Sequence, residues 1–296
     1  MQELISRIWN RIELRLDPWE RSIIKKMRKD AKFLFLSELI PFFENTHVYC
    51  FGTGGSVANL PNLGRLRDKN LMIVTSGPIH FFRTYKVVPN IWIIHNADSV
   101  KMFLKEEESS PLDFSNTFIL VPANDSYSKL HFSSIEIKQL RERHPEATFV
   151  VYREIFPQIN NFILPENFMK KGIEPLRSLH GSVLEALFAP IAGYLGIKGL
   201  YFSGIDQLPT GHFWDRKFYY QDINGKPLNF PEHENTLKIN NILASFSQQI
   251  GFDIFRLEKE ETILKLYPYL DFEDSLKLTS PIITPELIKN QIVAFE

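Results

Sequence analysis

The stretch Gly196–Asp206, GIKGLYFSGID, decides the fold of this 296-residue chain. Gly196 reads as the stop of a helix, because glycine accepts the left-handed backbone on which helices end. The run GLYFS that follows is apolar without polar alternation, as a strand buried on both faces should be. An acidic residue, Asp206, comes three residues after it. In an open α/β sheet ligands bind beyond the carboxyl ends of the strands, so this order of features points to a small-molecule site beside Asp206.

The same pattern recurs outward along the chain as HVYCF (47–51), NLMIVT (70–75), NIWIIH (90–95), NTFILV (116–121), ATFVVY (147–152) and FDIFRL (252–257). Between them PIHFFRTYKV (78–87), DSVKMFLKEEE (98–108) and SSIEIKQLRERH (133–144) are long enough to be the crossover helices that parallel strands require. The expected fold is α/β, a doubly wound, mostly parallel, Rossmann-like sheet occupying residues 45–296. Residues 153–180 and 207–235 are rich in Pro, Asn and aromatics and lack periodicity, which suits lids or binding loops, with disorder as the alternative.

Residues 1–44 read as an N-terminal helical arm. Leu4, Ile5, Ile8, Trp9 and Ile12 recur at helical spacing, and Asp17-Pro18 caps a second helix. Residues 1–30 carry eight Lys or Arg against five Asp or Glu, a net of +3. That allows peripheral contact with anionic lipid, although packing on the domain or on a second subunit, as in a homo-oligomer, is the favoured reading. The whole chain balances 34 basic against 35 acidic residues, so no charge excess exists to hold a nucleic acid. Cys50, the single cysteine, sits in an apolar run and reads as a small core residue. With no leader-like segment and no apolar run of about 20 residues, a soluble, cytoplasmic protein is expected.

Polar residues collect at the strand ends. The first run leads into GTGGS, Gly52, Thr53, Gly54, Gly55 and Ser56, a turn whose bare backbone suits a phosphate or nucleotide, or serves as a tight turn only. No Gly-Lys-Ser/Thr follows, so it is not a phosphate-binding P-loop. Ser76 ends the second run. His95 and Asn96 end the third, with Asp98 in position to cap the next helix. His180, Gly181 and Ser182 open a helix whose first N–H groups suit an anion, and Pro190 lies inside it. His212, Trp214, Tyr219 and Tyr220 share a loop, and His233 precedes an apolar helix ending at Gly251, where a histidine can act as a base.

Over residues 46–276 these features resemble the bacterial lipooligosaccharide sialyltransferases of glycosyltransferase family 42, together with the related motility accessory factor and 6-hydroxymethylpterin pyrophosphokinase-like group. The family's ALGY-K-IYLSGID stands here as YLGIKGLYFSGID (194–206), and its His, Asn-Thr and apolar helix as HENTLKINNIL (233–243). The segment LKLYPYLDFEDSL (264–276) resembles the pyrophosphokinase-like group instead. The resemblance implies a variant of the glycosyltransferase A fold. It further implies that Gly52, Gly54, Ser56, Asn96, Gly181 and Ser182 bind nucleotide, with Thr53, Gly55, Ser76 and Asp206 around them. Tyr219 or Tyr220 would touch the phosphate and His233 would deprotonate the acceptor. The family's Asn and Pro of the first turn are here Thr53 and Gly55, and its Ser-Gly order is reversed in Gly181-Ser182. That makes His180 a second candidate base.

The expected activity is a metal-independent transfer of an acidic sugar from a CMP-sugar donor to a glycan hydroxyl, in surface polysaccharide or lipooligosaccharide assembly. No cofactor beyond the donor substrate is expected, since no Asp-x-Asp motif is present to hold a metal. The alternatives are a pyrophosphokinase-like enzyme, with Asp98 and Asp206 holding magnesium against ATP, and a non-catalytic glycan- or nucleotide-binding accessory protein.

Overall fold

A computed structural model describes residues 33–66, 71–74, 78–94, 97–108, 111–122, 130–152, 188–205, 213, 241, 243–244, 253–259, 266–278, 283–286 and 288. The chain divides into two compact units, Met1–Phe33 and Leu34–Glu296. Residues 1–32, and with them the expected arm helices, lie outside the described residues. Apart from Phe33, every described residue belongs to the second unit.

The strands are β1 (Phe33–Phe35), β2 (His47–Phe51), β3 (Leu71–Val74), β4 (Ile91–Ile93), β5 (Phe118–Pro122), β6 (Thr148–Tyr152), β7 (Gly199–Ser203) and β8 (Asp253–Arg256). They form one sheet in the order β1-β6-β5-β4-β3-β2-β7-β8. The pairings from β6 through to β8 are all parallel, with Val48 opposite Leu71 on one side and Leu200 on the other. The seven apolar runs of the sequence are therefore all strands of a doubly wound sheet, as expected. Every residue of β4, β5, β6 and β7 is buried, whereas β8 at the edge is only partly so. The sheet also takes in β1, a strand of three residues where the sequence suggested only helices.

The helices α1 (Ile40–Phe43), α2 (Pro78–Tyr85), α3 (Ala97–Glu107), α4 (Ile135–Arg143), α5 (Ala189–Tyr194) and α6 (Phe272–Ser275) accompany it. Strand alternation sends Val48, Cys50, Leu200 and Phe202 to a core shared with Phe43 of α1 and Ile191 and Leu195 of the α5 segment. Tyr49, Phe51 and Tyr201 point the other way, to Phe81 of α2 and Phe272 of α6. Both faces are covered, as strands paired in parallel require. Cys50 is a fully buried free thiol whose pKa burial pushes well up, so it is the core residue the sequence suggested. Among the described residues no helix is long and apolar enough to cross a membrane.

The stretch from Gly196 onward behaves as its glycines dictate. Gly196, at φ +70°, closes α5: its N–H donates to the Gly193 carbonyl and that of Ile197 to Ala192, the paired bonds of a Schellman stop. Chain direction reverses there and β7 begins three residues later beside β2. Asp98 departs from expectation. It is not the cap of α3 but its second residue, with a side chain 95% exposed and 3.5 Å from Lys101.

Candidate functional site at the topological switch point

The winding direction of the sheet reverses between β2 and β7. From β2 the chain adds β3, β4, β5 and β6 on one side, then returns to add β7 and β8 on the other. At such a switch point the connections leave to opposite faces and open a crevice beyond the carboxyl ends. Those ends are Phe51-Gly52-Thr53 and Ser203-Gly204-Ile205.

The two turns clasp each other through backbone. The Gly52 N–H donates to the Ser203 carbonyl and the Gly54 N–H to the Gly204 carbonyl, both at 2.8 Å. The contact is too close for side chains. A Cβ on Gly52 would lie 2.2 Å from the Gly204 carbonyl oxygen, and one on Gly204 would lie 2.4 Å from Val57 Cγ2. Gly204 also holds φ at +74°, a region that residues with a side chain rarely adopt. A short 3₁₀ turn, Gly55–Asn59, comes next and buries Gly55 and Val57. The Thr53 carbonyl accepts from the Phe213 N–H at 3.1 Å, while the Phe213 ring packs on Phe81 and Tyr85.

Beneath the clasp lies Glu258, two residues beyond β8 and only 6% exposed. Its Oε1 accepts from the Gly204 N–H at 2.8 Å and from the Ser56 hydroxyl at 3.0 Å. The Gly204 N–H also reaches Ser56 Oγ at 3.1 Å, so three residues from three separate strand ends share one hydrogen-bonded knot. Oε2 is buried with no hydrogen-bond partner among the described residues, and so is the Ser203 hydroxyl. Burial raises the Glu258 pKa, opposed by the Gly204 N–H, its own N–H and the neighbouring Ser203 and Ser56 hydroxyls, which favour the charged form. Arg256 secures the backbone here, donating to the carbonyls of Glu258 and Tyr267 and lying over the Tyr269 ring.

Gly52, Thr53, Gly54, Gly55 and Ser56 follow the carboxyl end of β2, beside the switch point. Ser76, Asn96, His180, Gly181, Ser182, Asp206, Tyr219, Tyr220 and His233 lie outside the described residues, as do His212 and Trp214. Of the helix after His233, Leu243 is described and is buried in the core. Asp98, offered as a magnesium ligand under the pyrophosphokinase alternative, is solvent-exposed and paired with Lys101. Sequence reasoning missed Glu258 and Ser203. The signal was present, since Glu258 is the acidic residue directly after FDIFRL, the relation that singled out Asp206 after GLYFSGI.

Two further polar clusters sit at the opposite, amino edge. His47, at the start of β2, stacks on Tyr201 and meets its hydroxyl at 2.7 Å through Nδ1. Burial, then the nearby Lys198 charge, lowers the His47 pKa, with Asp253 opposing. Where α3 and α4 end, His144 Nε2 lies 2.8 Å from Glu107 Oε2 and Nδ1 lies 3.0 Å from Glu146 Oε1. Glu107 and Glu146 also accept from the Leu112 and Phe114 N–H groups, so this cluster ties a loop to two helix ends.

No family model matches the chain, and no curated protein does. Solved structures similar to it include the monofunctional α-2,3-sialyltransferase Cst-I from Campylobacter jejuni, at 16% identity and TM-score 0.42 over 84% of this chain and 94% of that one. The sialyltransferase CstII from the same organism, in complex with cytidine-5′-monophosphate, is 13% identical at TM-score 0.43 over 81% and 89%. CstII with a trisaccharide acceptor and CMP is 14% identical at TM-score 0.41 over 80% and 89%.

Proposed function

We propose that this chain is a nucleotide-sugar-dependent glycosyltransferase that moves an acidic, sialic acid-like sugar from a CMP donor to a glycan hydroxyl. The observation that carries the reading is the glycine-rich turn at the carboxyl end of β2, stitched by backbone bonds to Gly204 at the switch point. Bare backbone at that place lets a nucleotide approach where a side chain would hold it off. The motif resemblance in the sequence supplies the donor class.

In the reaction the bond between the anomeric carbon and the donor phosphate oxygen breaks, and CMP departs with the electron pair. The acceptor oxygen bonds the anomeric carbon and gives its proton to His233, or to His180. Tyr219 or Tyr220 hydroxyls meet the charge on the leaving phosphate, so no divalent ion is needed. Asn96, Gly181 and Ser182 join Gly52–Ser56 around the nucleotide, and Asp206 orients the following loop. The setting is surface polysaccharide or lipooligosaccharide assembly on the cytoplasmic side, with residues 1–30 available for peripheral membrane contact or self-association.

Calorimetric titration with CMP, CDP, UDP, GDP and ATP, each with and without magnesium, tests this. CMP binding that ignores magnesium is expected. ATP binding that requires the ion replaces the proposal with a pyrophosphokinase, and binding of none of the five leaves an accessory protein.

A further inference from the structure

Glu258 is a buried carboxyl whose second oxygen has no partner among the described residues, which a folded protein rarely leaves without a purpose. Its placement supplies one. Oε1 is the common acceptor for the Gly204 N–H and the Ser56 hydroxyl, and the carbonyl of that same Gly204 holds the Gly54 N–H. Ser56 stands in the 3₁₀ turn directly after the glycines. The shape of the turn therefore depends on a side chain 202 residues further along the chain than Ser56. The regular β2–β7 ladder ends at Phe51 opposite Ser203, and beyond it Glu258 adds a side-chain anchor to the two backbone bonds of the clasp.

We propose that Glu258 is a positioning residue: acting through Ser56 and Gly204, it holds the glycine-rich turn in its nucleotide-binding shape. The consequence for binding rests on the nucleotide reading above, whereas the latch itself does not. Because burial favours the neutral carboxyl, a glutamine preserves the function: its carbonyl accepts the same two bonds and its amide replaces the acid O–H as a donor. Alanine removes both bonds.

Two measurements on the full chain test this. The first is amide hydrogen exchange without ligand. In Glu258→Ala the Gly54 and Gly204 amides should exchange at least about tenfold faster, relative to core amides of β5 and β6, than in the parent chain. Glu258→Gln should stay within about threefold. The second is CMP titration: Glu258→Ala and the milder Ser56→Ala should bind at least about tenfold more weakly, and Glu258→Gln within about threefold of the parent. Glu107→Gln at the amino edge is the control for stability lost elsewhere and should leave CMP affinity unchanged.

Uniform acceleration of all amides in Glu258→Ala, or undiminished CMP affinity in that variant, overturns the proposal. A glutamine as damaging as alanine overturns it in favour of a charge acting directly on the ligand. If the parent chain binds no CMP, the transferase reading falls instead, and the exchange measurement still decides whether the latch exists. Should Glu258→Ala fail to fold, Ser56→Ala decides by the same two readouts.

Discussion

Gly52 and Gly204 show how little room a single site leaves. Each is pressed against the other's backbone, and a methyl group on either meets an atom at 2.2–2.4 Å. For Gly52 the obstruction is a carbonyl that cannot move without breaking the bond it accepts from Gly54. Gly52→Ala should therefore cost about 2–3 kcal/mol in urea unfolding and abolish CMP binding at concentrations that saturate the parent. A stable variant that still binds would show that the clasp is not what shapes the site. Glu258 yields a pH prediction. Its folded-state pKa is raised, so above the ordinary glutamate range the unfolded chain has released a proton that the folded chain still holds, and stability falls as pH rises towards the folded value. Glu258→Gln should flatten that decline by up to about 1.4 kcal/mol per pH unit within the window, read from urea midpoints at a series of pH values. An unchanged pH slope would mean that Glu258 ionises as an ordinary exposed carboxyl. The His47 ring works oppositely: its lowered pKa gives stability that is present above the ordinary histidine value and lost as pH falls from there through the lower folded value.

Secondary elements were the most legible part of the sequence. Strands buried on both faces announce themselves as unbroken apolar runs, and β2 to β8 each lie within such a run or end one residue beyond it. β1 escaped because three residues, Phe33–Phe35, carry no period, and because the adjoining helical pattern absorbed them. The site was half legible for a related reason. Turn glycines are local features that a sequence displays, whereas the carboxyl that fixes them arrives from β8 and is visible only once the strand order is known. The brace at the ends of α3 and α4 was illegible altogether, since His144, Glu107 and Glu146 look like ordinary surface residues of charged helices. In the fold His144 is 3% exposed and Glu107 2%. Removing one partner of a buried polar cluster strands the others, so Glu107→Ala should destabilise the chain by about 3–5 kcal/mol in urea, with CMP affinity unchanged. A loss below about 1 kcal/mol would place the cluster among solvated surface pairs, which are worth no more than that.

At the scale of the whole molecule the switch point divides the sheet into two groups of strands, β1 to β6 from residues 33–152 and β7 to β8 from residues 199–256. The β2–β7 ladder joins them, and its carboxyl end is where the proposed ligand sits. A nucleotide held by both turns needs both groups in place, so it binds the folded chain and not the unfolded one. By mass action, free CMP at 100 times its dissociation constant should then add about 2.7 kcal/mol to the unfolding free energy. The gain should come as a higher urea midpoint at constant slope, because the surface exposed on unfolding is nearly the same with or without so small a ligand. Glu107→Ala, at the far edge, should show the same increment from a lower starting point, and Gly52→Ala none. Equal increments in all three chains would move the nucleotide away from the switch point. A change of slope on adding CMP would mean that ligand binding alters the compactness of the folded chain, and the rigid clasp of β2 on β7 would have to be abandoned as the frame of the site.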